Sequence, residues 1–308
     1  MIAASRRFWG RAIGHWRFAA LLKAVVGLAA PISLAACSAP APGSAVSPEA
    51  DDRPISRRAE YTATARPKLI SLNPCVDAIL VAIAPRDQVL ALSHYSRNPG
   101  SSSIPENALQ FYRFTGGTAE EVLAASPDLV LASTFIDPST RSAFERLGMT
   151  VATFGSPASL AESVAQVRRV AQITGNQAAG ERLVAEMEQA ATPSSHDARP
   201  ITALLWQPGQ IVPGEATLIA DLMRRHGFVS HSAASGLGQA DFVSLERLLD
   251  DPPEVVLVAG DSTGQRHPLL QRLETTRVEP FAGWLINCGG PSVIAASDRL
   301  RIVRAGLK

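Results

Sequence analysis

The chain has 308 residues, a formal net charge of +1, 46% hydrophobic residues and only 19% charged residues. This length allows one large domain or two ordinary ones, and the apolar content is too high for a disordered chain. Because the basic groups are balanced by acidic ones, the composition argues against a dedicated nucleic-acid-binding protein. Three cysteines are too few for a scaffold built from disulfides.

The N-terminal segment is typical of an export signal. Residues 1–36 contain five basic residues and no acidic residue, and they end in an apolar run, Ala24 to Ala36, that is too short to span a bilayer. The run closes on Leu34-Ala35-Ala36-Cys37, which resembles the lipobox of bacterial lipoproteins, where the cysteine is acylated and becomes the new N-terminus. The alternative is a plain signal peptide, and the sequence does not choose between Sec and twin-arginine export.

Removal of the signal changes the charge of the protein. Residues 1–36 take five basic residues with them, so the formal net charge of +1 becomes −4. Residues 37–67 are then the lipidated cysteine and a segment rich in Pro, Ala and Ser, which predicts a flexible tether. We therefore expect a folded body that begins at Lys68, in an extracytoplasmic and disulfide-permissive compartment.

The body alternates short apolar runs with helical segments, which predicts parallel βαβ units. Within 68–158, the predicted strands are Leu69–Leu72, Val89–Leu92, Asp128–Ala132 and Thr150–Phe154, and the predicted helices are Val76–Ile83, Thr118–Ala125 and Ser139–Leu147. Within 193–308, the predicted strands are Ile201–Trp206, Glu254–Ala259 and Trp284–Asn287, and the predicted helices are Ala216–Arg225, Ser244–Leu249, Leu269–Thr276 and Ser292–Ala305.

Between these halves, residues 159–192 carry an apolar stripe at helical spacing. As one helix of roughly 30 residues, the segment would extend about 45 Å, which suits a strut between two lobes. Gly175 and Asn176 mark a point of interruption or kink.

One sequence pattern of the first half of the body recurs in the second half. Residues 121–132 align with residues 247–258, each as a short helix, a proline turn with an acidic residue and a buried strand. The alignment places Glu120 and Glu246 seven residues before Pro127 and Pro253. Patterns of helix, proline turn and strand are common in α/β proteins, so a single repeat is weak evidence that the two halves arose by duplication.

Together these features resemble the substrate-binding proteins of ABC importers, in the subclass that serves cobalamin, ferric siderophores and haem. The resemblance covers 68–308 and rests on the lipobox, on the predicted helix 159–190, and on the motifs LISLNPC (69–75), ALSHY (91–95), GGTAEEVL (116–123), SPDLVL (126–131) and WLINCGGP (284–291). It implies an α/β fold of two Rossmann-like lobes with parallel sheets, joined by one long helix, with the ligand in the cleft between them.

The resemblance also implies partners and roles. We expect a monomer on a lipid anchor that delivers a ferric siderophore, haem or cobalamin to the permease dimer of an ABC importer, with no cofactor of its own, no catalytic residue and no metal site. By motif position, Glu120 and Glu246 are the surface glutamates, one per lobe, that dock on arginines of the permease. Carboxylates and guanidinium groups form charge-assisted, often bidentate pairs. The alternative is that both are ordinary solvated helix residues.

Ligands of parallel α/β lobes gather outside the carboxyl ends of the strands. Reading those ends gives the candidate ligand-binding residues Asn73, Cys75, Tyr95, Phe135, Trp206, Gln207 and Cys288. Tyr95 also matches by position a tyrosine that lines the cleft in cobalamin-binding relatives. Tyr and Trp offer flat faces that suit a corrin or a chelate, although Trp206 could equally be core of its strand.

Cys75 and Cys288 are the thiols that remain beside Cys37, and three interpretations are open. They could form a disulfide, which would restrain the lobes, or they could stay as two buried or cleft-lining thiols, or bind metal. The distance between their Cα atoms decides whether a disulfide can form.

The alternative functions are an enzyme on the same bilobal fold or a zinc or manganese carrier. Gly260-Asp261-Ser262-Thr263-Gly264 matches the nucleophile elbow of hydrolases, but the histidine that follows, His267, comes without an intervening acid, so a hydrolase triad cannot be built in that order. A chelatase-like enzyme remains an alternative. No set of histidines at zinc spacing supports the metal carrier.

Overall fold

A computed structural model describes residues 66–100, 102–193, 199–260 and 264–307 of the chain. These residues form two parallel sheets, each covered by helices. Two α/β lobes are therefore present, as the sequence predicts. Residues 1–65, which include the predicted signal, Cys37 and nearly all of the tether, lie outside the described residues.

The strands of each sheet are short and their pairs are all parallel. The first sheet has the order β3-β2-β1-β4-β5 and contains β1 (Leu69–Ser71), β2 (Val89–Ser93), β3 (Phe114–Thr115), β4 (Leu129–Ser133) and β5 (Val151–Phe154). The second has the order β7-β6-β8-β9 and contains β6 (Ile201–Trp206), β7 (Phe228–Ser230), β8 (Val255–Val258) and β9 (Arg277–Pro280). In each sheet the first strand along the chain, β1 or β6, is an inner strand. The chain first adds strands on one side of it and then crosses to the other side, where β4 or β8 pairs with it.

The helices connect these strands and close the chain. They are α1 (Pro74–Ile83), α2 (Glu106–Leu109), α3 (Ala119–Ala125), α4 (Pro138–Arg146), α5 (Leu160–Ile173), α6 (Gln177–Ala190), α7 (Leu218–Arg225), α8 (His231–Ala234), α9 (Leu245–Asp250), α10 (Trp284–Asn287) and α11 (Ser292–Ala305). Polar side chains cap several of their N-termini, as Thr118 does for α3 and Ser244 for α9, because the first backbone N–H groups of a helix lack partners within it.

Most predicted elements are present, and the three strands that were not predicted have a common cause. The strands that the sequence does not reveal, β3, β7 and β9, all lie at sheet edges, where one side of a strand stays exposed and the apolar pattern fades. Residues 284–287 are helical as α10 and do not form the predicted strand. The predicted helix over 269–276 is a short 3-10 turn, Pro268–Arg272.

The prediction of one long linking helix is wrong, because α6 folds back along α5. Ala171 adjoins Gly180, and Arg168 of α5 pairs with Glu181 of α6 at 3.0 Å. The break falls at Gly175, whose φ of 70° is in the left-handed region that glycine tolerates. The two helices form a hairpin, and they do not form a 45 Å strut.

Two hydrogen bonds to the first lobe hold the turn of this hairpin. The Gln88 side chain donates to the Thr174 carbonyl at 2.7 Å and accepts from the Asn176 side chain at 2.9 Å, and all three residues are buried. Buried amides of this kind need partners, so the bonds fix where the hairpin turns.

The hairpin joins the lobes through a shared core. It packs against α1 of the first lobe and against α7 and α11 of the second. One apolar cluster runs from Leu69 of β1 through Val167 of α5 to Val293 of α11 and Leu205 of β6. The lobes are therefore held by continuous packing, and a large separation would expose that core to water.

A covalent bond adds to this packing. Cys75 of α1 and Cys288, just after α10, form a disulfide with Cα atoms 5.1 Å apart. Next to it, the Gly290 N–H donates to the Ser163 hydroxyl at 2.8 Å, and a side chain at Gly289 would collide with that hydroxyl. Of the three interpretations of the two cysteines, the disulfide is therefore the one found in the structure. The bond links the C-terminal segment to the first lobe.

We expect replacement of both cysteines by serine to lower the free energy of unfolding by about 2–4 kcal/mol, because the bond closes a loop of 213 residues in the unfolded chain. Denaturant unfolding with and without a dithiol reductant measures this. Reduction of the unmodified protein should reproduce the loss, and the double variant should not respond to the reductant. If the unmodified, unreduced protein and the double serine variant unfold at the same denaturant concentration, the disulfide is contradicted.

Candidate functional site

The carboxyl edges of the two sheets meet on one side of the molecule. The Asn287 side chain, beyond β9, donates to the Gly100 carbonyl, beyond β2, at 3.3 Å, and Gly283 lies beside the same carbonyl. The Cys75–Cys288 disulfide joins the edges at a second point, since α1 follows β1 directly. Ligands of parallel sheets bind at such edges, near the point where the chain changes direction, so the space between them is the candidate cleft.

Two aromatic side chains of the first lobe are exposed at this edge. Tyr95 lies in the 3-10 turn His94–Arg97 that follows β2 and is 61% exposed. The rings of His94 and Tyr95 are in contact, with centroids 4.0 Å apart. Phe135 follows β4 and is 82% exposed, with its backbone N–H donating to the Ser133 hydroxyl. Both side chains therefore lie where the sequence analysis places ligand contacts.

The second lobe contributes an aromatic side chain that the sequence analysis missed. Gln207 begins a loop after β6, and its N–H donates to the Ile211 carbonyl at 2.9 Å. Ile211 pairs in antiparallel fashion with Phe242, whose side chain is 63% exposed. Phe242 lies outside any periodic run, so no sequence signal marked it; only the bridge to Ile211 brings it to this edge.

A pocket of about 460 Å³ opens beside the same edge of the second lobe. Val258, Pro280, Phe281 and Leu285 line it, together with the Arg299 side chain. The Arg299 guanidinium already donates to Glu279 at 2.6 Å and to the Pro280 carbonyl. The pocket is therefore mainly apolar, with its charged member paired.

Two predicted ligand residues have structural roles. Trp206 is fully buried and its indole N–H donates to the Val243 carbonyl at 2.9 Å, so it belongs to the core and the ligand interpretation is wrong. Its ring packs in a buried apolar cluster with Leu204 and Val243. Asn73 is also buried; its side-chain oxygen accepts from the Cys75 and Val76 N–H groups and caps α1. These bonds use the groups that a ligand would need.

Of the remaining predicted ligand residues, the two cysteines have a structural role and Gln207 lies at the edge of the second sheet. Cys75 and Cys288 are bonded to each other, so neither offers a free thiol. Gln207 is half-buried at the second edge, with its side chain at the start of the loop that leads to Ile211. Tyr95, Phe135 and Gln207 thus each follow the carboxyl end of a strand, and Phe242 pairs with the loop that Gln207 begins.

Glu120 and Glu246 occupy equivalent places in the two lobes. Each is the second residue of a short helix, α3 or α9, that leads into the strand beside the central one, and each side chain is exposed. Both helices begin at the carboxyl edge, where the cleft lies. The pKa of Glu246 is lowered because its own backbone N–H and the Ser244 hydroxyl donate to it. An acidic residue in the first turn also suits the helix dipole.

The neighbouring Glu121 is hydrogen-bonded to the loop that precedes α3. Its carboxylate accepts from the Thr115 hydroxyl at 2.6 Å and from the Gly116 N–H at 2.7 Å, and these bonds lower its pKa. Glu121 therefore holds the loop before α3, while Glu120 is exposed.

The alternative functions receive no further support from the described part of the chain. Ser262 lies outside the described residues. Where side chains are described, no three of His, Cys, Asp and Glu are grouped so that they could hold a metal ion. None of the helices within the described ranges combines the length and apolar character needed to cross a bilayer.

Solved structures of low sequence identity share this fold. The periplasmic haem-binding protein HutB of Vibrio cholerae is 18% identical with a TM-score of 0.63, over 78% of this chain and 99% of that one. The periplasmic vitamin B12-binding protein BtuF of Vibrio cholerae is 20% identical with a TM-score of 0.58, over 79% and 98%. The periplasmic haem-binding protein RhuT of Roseiflexus sp. RS-1 is 20% identical with a TM-score of 0.60, over 77% and 99%.

Sequence comparison gives a family but no individual relative. Curated protein sequences contain no match. The family model described as periplasmic binding protein matches residues 69–278, about two thirds of the chain, and spans both sheets. Proteins of this family bind solutes outside the cytoplasm, and the two parallel-sheet lobes agree with this family. The chain belongs to the periplasmic binding protein family.

Proposed function

We propose that this protein captures an iron chelate or a corrinoid outside the cytoplasm and delivers it to an ABC permease, without making or breaking a covalent bond in the ligand. The observation that carries the proposal is the set of exposed aromatic side chains, Tyr95, Phe135 and Phe242, on both edges of the cleft. Tyr95 and Phe135 follow strand ends and Phe242 pairs with the loop after β6, so all three lie on the side of the sheets where ligands of parallel sheets bind.

These aromatic side chains favour a ligand with broad apolar faces. Each can bury roughly 150–250 Å² and stack on a flat π-system, and Tyr95 adds a hydroxyl. Porphyrins, corrins and the aryl groups of catecholate siderophores have such faces. The known ligands of the solved structures agree, since HutB and RhuT are haem-binding proteins and BtuF binds vitamin B12.

Delivery needs a second surface, for which we propose Glu120 and Glu246. They begin equivalent helices at the cleft side of the two lobes, so a permease that receives the ligand from the cleft would meet both carboxylates. Arginine side chains of the permease would then bind them as charge-assisted pairs. The protein acts as a monomer on a permease dimer in this proposal, one lobe facing each subunit.

Location outside the cytoplasm agrees with the signal-like residues 1–36 and with the family. We propose that Cys37 is acylated after cleavage and that the segment up to residue 67 tethers the body to the membrane. A tether of about 30 flexible residues has an end-to-end distance of roughly 30 Å, which lets the body reach a permease in the same membrane.

The ligand class is tested by thermal unfolding with haemin, cyanocobalamin, a ferric hydroxamate and a ferric catecholate. A ligand present at about 100 times its dissociation constant should add about 2.7 kcal/mol to the stability. Tyr95→Ala and Phe135→Ala should each raise the dissociation constant about tenfold, the effect of losing one stacked ring.

Phe111→Ala is the matched control. Phe111 is also an exposed aromatic residue, at 52%, but it precedes β3 and so lies at the amino edge of the sheet, on the far side from the cleft. Its loss should leave binding unchanged. If none of the four compounds stabilises the protein, or if all three variants bind equally well, the proposed ligand class is wrong.

The docking surface is tested by Glu120→Ala combined with Glu246→Ala. Each lost charge-assisted bond is worth about 1.5–3 kcal/mol, so ligand uptake by cells that depend on this protein should fall at least tenfold while ligand affinity stays constant. The control is Glu145→Ala with Glu274→Ala, one exposed glutamate per lobe at the opposite edges. Normal uptake by the first pair of substitutions would refute the docking surface.

The lipid anchor is tested by Cys37→Ser in the full chain. Acylation requires the thiol, so we expect the variant to lose membrane attachment and to appear in the aqueous extract, where the unmodified protein is absent. Metabolic labelling with a fatty acid should mark the unmodified protein alone. Membrane attachment that survives the substitution would show that another part of the chain provides the anchor.

A further inference from the structure

One ionisable group in the first lobe is completely buried beside the cleft. Asp77 lies in the first turn of α1, two residues after Cys75, and has no exposed surface. Burial of a carboxyl group is costly unless its oxygen atoms are hydrogen-bonded. A fully buried Asp in a binding protein therefore calls for an explanation, and its contacts provide one.

The contacts of Asp77 lead to the turn that carries Tyr95. Its Oδ2 atom accepts from the Ser93 N–H at 2.9 Å and from the Ser96 hydroxyl at 2.6 Å. Ser93 in turn accepts from the Tyr95 N–H through its hydroxyl at 3.4 Å. The two serines flank His94 and Tyr95 in the sequence, so one carboxyl oxygen holds both ends of the segment that exposes those rings.

The other carboxyl oxygen of Asp77, Oδ1, has a different environment. Oδ1 is buried and has no hydrogen-bond partner among the described residues. Burial raises the pKa of Asp77 from 3.8 to about 7, and it outweighs the opposing influence of Ser71, Ser96 and Ser93. Oδ2 can accept both bonds whether or not Oδ1 carries a proton, and an asparagine side chain in the same place could accept them with its carbonyl oxygen.

We propose that Asp77 is the positioning residue of the ligand cleft: it anchors the turn 93–97 to α1 and so holds the exposed Tyr95 ring, with His94 beside it, at the edge where ligand binds. Its role in binding rests on the proposed function, whereas its role as an anchor does not. Loss of the anchor would let the turn move and would add an ordering cost to every binding event.

The anchor is tested by amide hydrogen exchange of residues 93–98, followed by mass spectrometry in the full chain without ligand. Asp77→Ala should raise exchange in this segment at least tenfold, because the Ser93 N–H loses its acceptor. Asp77→Asn should restore protection, since its carbonyl accepts the same two bonds. Helix α3 is the internal control, and its exchange should be equal in all variants.

Ser96→Ala is the second variant, in case Asp77→Ala does not fold. It removes one bond to Oδ2 and leaves α1 untouched, so exchange of 93–98 should rise by a smaller factor than in Asp77→Ala. Protection that stays normal in both Ser96→Ala and a folded Asp77→Ala would overturn the proposal, as would an Asp77→Asn variant that is as unprotected as Asp77→Ala.

The link to binding is tested with haemin and cyanocobalamin as the probes at pH 7. Asp77→Ala should raise the dissociation constant of the bound probe about tenfold, and Asp77→Asn should restore it. If Asp77 acts through Tyr95, the effect of Asp77→Ala should vanish in the Tyr95→Ala background, whereas additive effects would overturn the proposed coupling.

These outcomes separate the two proposals. If neither probe binds the unmodified protein, the ligand class is wrong, and hydrogen exchange alone then decides whether Asp77 anchors the turn. If a probe binds but Asp77→Ala binds it normally, the ligand class stands and the positioning role is wrong. His226 is a second buried ionisable group. Burial lowers its pKa to about 4, so it is neutral at pH 7 and its titration does not affect these measurements.

Discussion

The rest of the structure depends on the apolar packing of the α5–α6 hairpin between the lobes. Because its helices contact α1 on one side and α7 and α11 on the other, the cores of the two lobes merge into one. Opening the lobes widely would expose that core, so the packing keeps the two carboxyl edges facing each other. The Cys75–Cys288 disulfide and the close fit of Gly289 against Ser163 hold the same joint near the cleft.

Hydrogen bonds fix the loops at the two carboxyl edges. On the first lobe Asp77 holds the turn with Tyr95, and on the second the pairing of Ile211 with Phe242 shapes the loop after β6. The buried Trp206 anchors that same region through Val243, so a residue expected to touch ligand instead supports the loop beside it.

The two lobes repeat one plan at the level of topology. Each begins with its central strand, adds strands on one side, and returns through a short helix to the strand on the other side. Glu120 and Glu246 occupy that helix in each lobe at the same position after its capping residue. The weak sequence echo between 121–132 and 247–258 thus corresponds to equivalent elements, which strengthens the pairing of the two glutamates as one surface.

Local sequence patterns predict the alternation of central strands and helices, the two-lobed α/β class, and the placement of Tyr95 and Phe135 after strand ends, because continuous apolar runs and capping residues are local signals. The edge strands, the fold-back at Gly175, the disulfide and the pairing of Phe242 with the loop after β6 depend on contacts that form only in the folded chain. Each of these depends on groups far apart in the chain: 213 residues separate the two cysteines, and Gln88 holds a turn at Thr174. Asp77 belongs to the same class, since an acidic residue in a first helical turn reads as an ordinary solvated charge until Ser93 and Ser96 close over it.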